Sequence, residues 1–144
     1  MSNFNWDSFF CVIFAYSYKH DKIVKKERMM MVKRCSWVDE KSEIYKNYHD
    51  HEWGVPVYDD EKLYEMFLLE TFQAGLSWIT ILKKREAFRV AFDNFDVIKI
   101  ANYDDKKVME LLANEKIIRS KRKIGAAINN AKIFISIQTE FGSF

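Results

Sequence analysis

Proline is nearly missing from this 144-residue chain, which has one, together with only four glycines. Loop-rich all-β architectures use both residues freely at turns, so their scarcity argues against such a fold and for helices. Two cysteines, Cys11 and Cys35, cannot build a disulfide framework, and a reducing, cytoplasmic setting is the expectation. No apolar run approaches the ~20 residues that a spanning helix needs. The clearest one, Phe9–Tyr16, also lacks the positive leader of a secretory signal, because Asp7 is the only charge before it. Neither a membrane segment nor export is expected. An excess of one charge is missing too: the net charge is +2, and residues 1–30 carry five Lys/Arg against three Asp/Glu, which leaves the remainder balanced. A charge so small does not by itself imply nucleic acid, and any basic surface in the main domain must be local.

The length points to one domain, expected over 31–144. Residues 1–30 differ from the rest. They combine an aromatic patch (Phe4, Trp6, Phe9, Phe10, Phe14) with a basic tail (Lys22, Lys25, Lys26, Arg28) and run into Met29, Met30 and Met31. They read either as an added helix or as sequence upstream of a natural start at one of those methionines. The hydrophobic share of 49% and the aromatic share of 16% are enough for a good core or for flat surfaces that take something planar. After the extension, the pattern is helical. Asp59 or Asp60 caps a helix over Glu61–Gln73, which Gly75 ends. Ser77 caps a second over Trp78–Phe92. Asp96 and Asp104 begin two shorter pieces, and Ser120 caps a long last helix in which Ile124, Ile128, Ala131 and Ile135 recur at helical spacing. The fold class is all-α.

Several chemistries lack their residues. There is no phosphate-binding glycine loop, no Gly-x-Ser-x-Gly elbow and no His-Glu-x-x-His helix, and three scattered histidines do not make a Ser-His-Asp triad. Three segments do carry chemistry. Residues 35–54, CSWVDEKSEIYKNYHDHEWG, gather Trp37, Tyr45, Tyr48 and Trp53 around Cys35, His49 and His51. Cys and neutral His both bind zinc, but the thirteen residues between Cys35 and His49 match no standard zinc spacing. Spacing alone favours a buried thiol and a hydrogen-bonded histidine. In the second segment, LLETFQAGLSW over residues 68–78, Glu70 lies in a strongly apolar helical stretch. Its carboxylate there is ion-paired, protonated or waiting for a ligand. Trp78 opens the next helix, so Glu70 and Trp78 can line one pocket suited to a planar, electron-poor heterocycle. In the third segment five of the eight residues 116–123 are basic, between two amphipathic helices. Such a turn offers backbone N–H groups and cations to a phosphate, or is simply a solvated charge run. Lys83, Lys84 and Arg85 form a weaker cluster.

In this order RCSWV, then YKNYHDHEWGVPVYDDEKLYEMFLLETFQAGLSWITILKKREAFRVAF, then IIRSKRKIGAAINNAK resembles the 3-methyladenine DNA glycosylase I family over residues 33–144. The resemblance implies an all-α fold of the helix-hairpin-helix glycosylase superfamily, acting in base excision repair on double-stranded alkylated DNA by hydrolysing the N-glycosidic bond of N3-methyladenine. It implies that Glu70 is the carboxylate that bonds the extruded base, that Tyr48 and Trp78 stack on it, and that Trp37 and Tyr45 complete the pocket wall. Cys35 and His49 match the first two ligands of a structural zinc. The turn Ile117, Arg119, Ser120, Lys121, Arg122 and Lys123 matches the hairpin that grips the DNA backbone, although the usual hairpin glycine is replaced near Lys116. The family pattern continues past residue 144 with a Trp-containing helix and a final His/Cys pair, so the domain is expected to be incomplete at its C-terminus. Monomers are expected for the family. The alternatives are a DNA-binding remnant without catalysis and an incomplete domain that self-associates through uncovered apolar surface.

Overall fold

The computed structural model describes residues 33–144. The extension 1–30 lies outside them. Among the described residues there are six α-helices, one 3-10 turn and no strand. None of these helices is long and apolar enough to cross a membrane. The chain divides into two compact units, Met1–Pro56 and Val57–Phe144.

In the first unit a loop over residues 33–42 leads into α1 (Glu43–His51). Ser42 caps it, its hydroxyl accepting from the Tyr45 N–H, with Glu43 in the first turn and His49 and His51 in the last, as the helix dipole prefers. The loop closes on itself through Val38 N–H to the Cys35 carbonyl at 3.0 Å and Ser42 N–H to the Asp39 carbonyl at 2.9 Å.

The second unit holds α2 (Asp60–Gln73), α3 (Trp78–Ala91), the 3-10 turn Asp93–Phe95, α4 (Val97–Ala101), α5 (Asp105–Ala113) and α6 (Lys121–Phe141). The expected caps at Asp59, Asp96, Asp104 and Ser120 all accept backbone N–H groups. Ser77 stands at the N-cap of α3 but makes no capping bond. Its hydroxyl pairs with that of Thr80 at 2.7 Å, so the expected cap is present in position only. Gly75 follows α2 at φ +81°, the left-handed region where a side chain is strained.

The core of this unit is a ladder of rings and branched aliphatics. Phe72 meets Phe88 edge-on at 4.8 Å and Phe92 at 5.5 Å, and Tyr64 meets Phe134 edge-on at 5.1 Å. Leu68, Leu69, Ile81, Ile100, Ile124 and Ala131 fill the space between them. The long α6 packs on α2, α4 and α5, and α3 packs on α2 and on the 3-10 turn. The buried Tyr64 hydroxyl donates to the Ala127 carbonyl, which ties α2 to the middle of α6. Between α3 and α4 the backbone passes through Asp93, Asn94 and Phe95 at φ of 51°, 58° and 62°. Three successive left-handed residues are strained. Surrounding contacts hold them: Phe95 is buried under the Arg89 guanidinium, 5.3 Å from its ring centroid, and Tyr103 donates its hydroxyl to Asp93.

Candidate functional site

In the first unit Trp37 is the centre of an aromatic cluster. Its ring lies 5.2 Å from Tyr45, 6.5 Å from Tyr48, 5.3 Å from His49 and 5.5 Å from Trp53, which it meets edge-on. His49 and Trp53 are stacked at 5.2 Å. The three aromatics Trp37, Tyr45 and Tyr48 expected together are therefore together. Trp37 keeps an exposed face, whereas Tyr48 is buried. Tyr45 is half-buried, and burial pushes its hydroxyl pKa up.

Beneath this cluster runs a polar chain that includes two residues sequence reading passed over, Arg34 and Asp50. The Arg34 guanidinium grips Asp50 through Nε to Oδ1 at 2.9 Å and Nη2 to Oδ2 at 2.6 Å, and reaches Glu40 at 2.9 Å. Asp50 Oδ1 lies 3.0 Å from His49 Nδ1, and His49 Nε2 accepts the Cys35 N–H at 3.3 Å. The Arg34 bond, with that of His49 second, holds the Asp50 carboxyl well below the usual range, at about 2. Asp50 fixes the ring so that Nδ1 carries the proton and Nε2 is the acceptor.

Cys35 and His49 thus meet through the Cys35 backbone N–H. Zinc usually takes four ligands in a closed structural site. Among the described residues no group of three or more His, Cys, Asp or Glu is placed to hold a metal ion, and His51 is exposed. The His49 Nε2 lone pair already accepts the Cys35 amide. The described residues therefore do not complete a zinc site.

In the second unit Glu70 and Trp78 stand on either side of the Gly75 turn, one in the last turn of α2 and the other first in α3. Glu70 differs from its sequence reading. It is solvent-accessible rather than enclosed, yet protein crowds it enough that desolvation pushes its carboxyl above the ordinary carboxylate value. It makes no hydrogen bond or ion pair with any described residue. The enclosed carboxylate of α2 is Glu65, 4% exposed. Lys62 at 3.0 Å, Arg85 at 2.7 Å and Arg89 at 2.8 Å surround it. Burial alone raises the Glu65 pKa, but the Arg85 and Lys62 bonds outweigh it and the net shift is downward. The ion pair considered for Glu70 is thus the property of Glu65, five residues earlier. Trp78 is half-buried against the core, with its indole Nε1 shielded from solvent.

The turn over 114–120 joins α5 to α6 and carries the basic run. Asn114 organises it, its side chain accepting the Lys116 N–H at 3.0 Å and its carbonyl accepting the Ile117 N–H at 3.4 Å. The Ile117 side chain is buried and its N–H is engaged, so it anchors the turn. Ser120 caps α6 through the Lys123 N–H. Lys116, Arg119, Lys121 and Arg122 are exposed. Lys123 turns inward: its ammonium donates to the carbonyls of Phe72 at 2.8 Å and Ala74 at 2.6 Å. Burial, with Arg122 nearby, pushes its pKa down. Lys84 likewise donates inward, to the Lys116 carbonyl at 2.9 Å, and Arg85 is engaged by Glu65, so of the weaker cluster only Lys83 is exposed.

Solved structures share this all-helical fold and define the class, an all-α glycosylase-like domain. A crystal structure of 3-methyladenine DNA glycosylase I aligns with a TM-score of 0.73 at 49% identity, covering 77% of this chain and 60% of that one. A structure of the Staphylococcus aureus 3-methyladenine DNA glycosylase I, described as the basis of 3-methyladenine recognition, aligns at 0.70 with 40% identity, covering 72% and 55%. The Escherichia coli (strain K12) DNA-3-methyladenine glycosylase 1 is 47% identical over 107 residues, 74% of this chain and 57% of that protein. The Haemophilus influenzae DNA-3-methyladenine glycosylase is 47% identical over 108 residues, 75% and 58%. The methyladenine glycosylase family model matches residues 37–144, and the chain belongs to that family. It spans less than two thirds of the length of these curated relatives.

Proposed function

We propose that this chain is a DNA glycosylase domain that releases N3-methyladenine from alkylated double-stranded DNA. The observation that carries the reading is Glu70: a crowded carboxylate with its pKa raised and no described partner, one turn from the loop that leads to Trp78. A carboxylate so placed is poised for a ligand. Relatives at 47% identity carry the name of this activity, and a solved relative holds 3-methyladenine.

Methylation at N3 leaves adenine cationic. A base extruded from the duplex gains from aromatic faces on the order of 1–3 kcal/mol each by stacking. A cation gains further from π-faces and from a carboxylate acceptor, and both discriminate against neutral adenine. In the reaction the bond between C1′ and the base nitrogen breaks, and its electron pair leaves with the base, which departs neutral. Water adds its oxygen to C1′ and loses a proton, giving an abasic site. Because the leaving group is already activated, extrusion, recognition and electrostatic stabilisation carry the catalysis. Glu70 accepts hydrogen bonds from the base, and Trp78 supplies a stacking face.

The α5–turn–α6 segment is the DNA-backbone element of a helix-hairpin-helix. Helix α6 opens with Lys121, Arg122 and Lys123 and has no acidic residue in its first turn. Cations at a helix N-terminus oppose the dipole, by roughly 0.3–1 kcal/mol each. A phosphate accepting the free first-turn N–H groups reverses that cost. Such a protein works as a monomer in the compartment that holds DNA, the cytoplasm.

The test is release of free 3-methyladenine from alkylated duplex DNA by the 144-residue chain, with Glu70→Ala beside it. Loss of a hydrogen bond to a charged group should lower release roughly 10- to 100-fold. Equal release by both proteins sinks the role of Glu70. Salt-dependent DNA binding without release by either would leave a binding module in place of an enzyme.

A further inference from the structure

Helix α2 ends without a basic residue of its own in the last turn. Its C-terminal carbonyls carry the negative end of the helix dipole and have no partner further along the helix. A cation from far along the chain takes that place: Lys123, second residue after Lys121 at the start of α6, donates to Phe72 and Ala74 at 2.8 and 2.6 Å. These two carbonyls bracket the exit of α2. From there Gly75 turns the chain at φ +81°, Leu76 N–H returns to the Gln73 carbonyl at 2.7 Å, and α3 begins at Trp78. The turn also carries local bonds, among them Gln73 Nε2 to the Leu76 carbonyl at 2.9 Å.

We infer that Lys123 is a positioning residue: it pins the turn that runs from the helix end carrying Glu70 to Trp78, and so acts in capture of the base rather than as a phosphate contact. The inference rests on the base-release reading above. Its physical basis is the direction of the ammonium. Two of its three N–H donors point into protein, onto the α2 terminus. The same side chain stands in the first turn of α6, so the element proposed to grip DNA and the turn proposed to hold the base are joined by one residue. Charge-assisted bonds of this length are short and strong, and an apolar replacement leaves both carbonyls without a donor.

The experiment uses the full chain with Lys123→Met and Lys123→Arg. Three quantities are read: affinity for free 3-methyladenine by tryptophan fluorescence, the salt dependence of binding to undamaged duplex DNA, and hydrogen exchange of the amides at 74–78. Lys123→Met is expected to weaken free-base affinity on the order of tenfold, to speed exchange at 74–78, and to leave the salt slope as in the wild type. Lys123→Arg, whose fork also reaches two acceptors, is expected to restore most of the base affinity. A salt slope reduced by about 0.9 with base affinity intact would overturn the inference and make Lys123 a phosphate contact. Faster exchange with unchanged base affinity would also overturn it, reducing Lys123 to a stability role. Failure of the wild type to bind the free base would overturn the base-release reading and this inference together.

Discussion

The Arg85 Nε stands 2.7 Å from a Glu65 oxygen that Arg89 also reaches at 2.8 Å, which places one buried carboxylate under two guanidinium groups from α3. Lys62 holds the other oxygen at 3.0 Å. This arrangement bolts α2 to α3.

Removing the carboxylate leaves three cations facing each other. Glu65→Ala should therefore cost roughly 3 kcal/mol, read as a lower urea midpoint at pH 7. The pH dependence has a defined sign. Glu65 has a folded pKa below its unfolded value near 4.5, so its contribution is fully present above that value and is lost as pH falls through the depressed folded value. The fall in urea midpoint below pH 4.5 should flatten in Glu65→Gln. An unchanged slope would show that Glu65 titrates alike in both states.

The ring ladder itself predicts a larger effect. Phe72 is fully buried and meets two other rings edge-on. Phe72→Ala should destabilise by roughly 3–5 kcal/mol, the usual range for an aromatic cavity. Tyr64→Phe, which deletes only the 3.3 Å bond to the Ala127 carbonyl, should cost about 1 kcal/mol. Chemical denaturation of both variants checks the order.

The left-handed turn between α3 and α4 predicts a conformational effect rather than a packing one. Asn94 is exposed at φ 58°, so its side chain contributes little by burial. Asn94→Val should destabilise by roughly 1–2 kcal/mol, because a β-branched residue adopts this region poorly. Asn94→Gly should be near neutral. A valine variant as stable as the wild type would mean that the turn relaxes out of the left-handed region.

The basic surface yields a prediction that separates neighbouring lysines. If the hairpin grips DNA, Lys121→Ala and Arg122→Ala should each lower the salt slope of DNA binding by about 0.9. Lys84→Ala should leave the slope alone, because that ammonium is bonded to the Lys116 carbonyl. Its effect should appear as faster amide exchange in the 114–120 turn.

Much of the second unit was legible because its signals are local. Asp59, Asp96, Asp104 and Ser120 cap where a short acceptor before an apolar period says they should, and Gly75 ends α2 where a positive φ is needed. Ser77 shows the limit of such reading: its hydroxyl pairs with the Thr80 hydroxyl and leaves the backbone N–H groups of the first turn uncapped. The helix Glu43–His51 was not placed from sequence, since aromatics crowd 37–53 on every side and hide a helical period. The ion pair considered for Glu70 proved to be that of Glu65 for a related reason. Both lie in one apolar helix, and what separates them is Arg85 and Arg89 at 20 and 24 residues' distance. Family resemblance located the aromatic trio and the Cys35–His49 pair, but Arg34 and Asp50, which hold His49 in one tautomer, became visible only in three dimensions.

Sequence shows the stretch 116–123 as five equivalent positive charges. The Lys123 bonds to Phe72 and Ala74 divide them into unequal populations with different nucleophilicity. An amine-acylating reagent should label Lys116 and Lys121 first and reach Lys123 only when the end of α2 opens. The rate at which that one amine is labelled is therefore a chemical clock for the breathing of the α2–α3 turn.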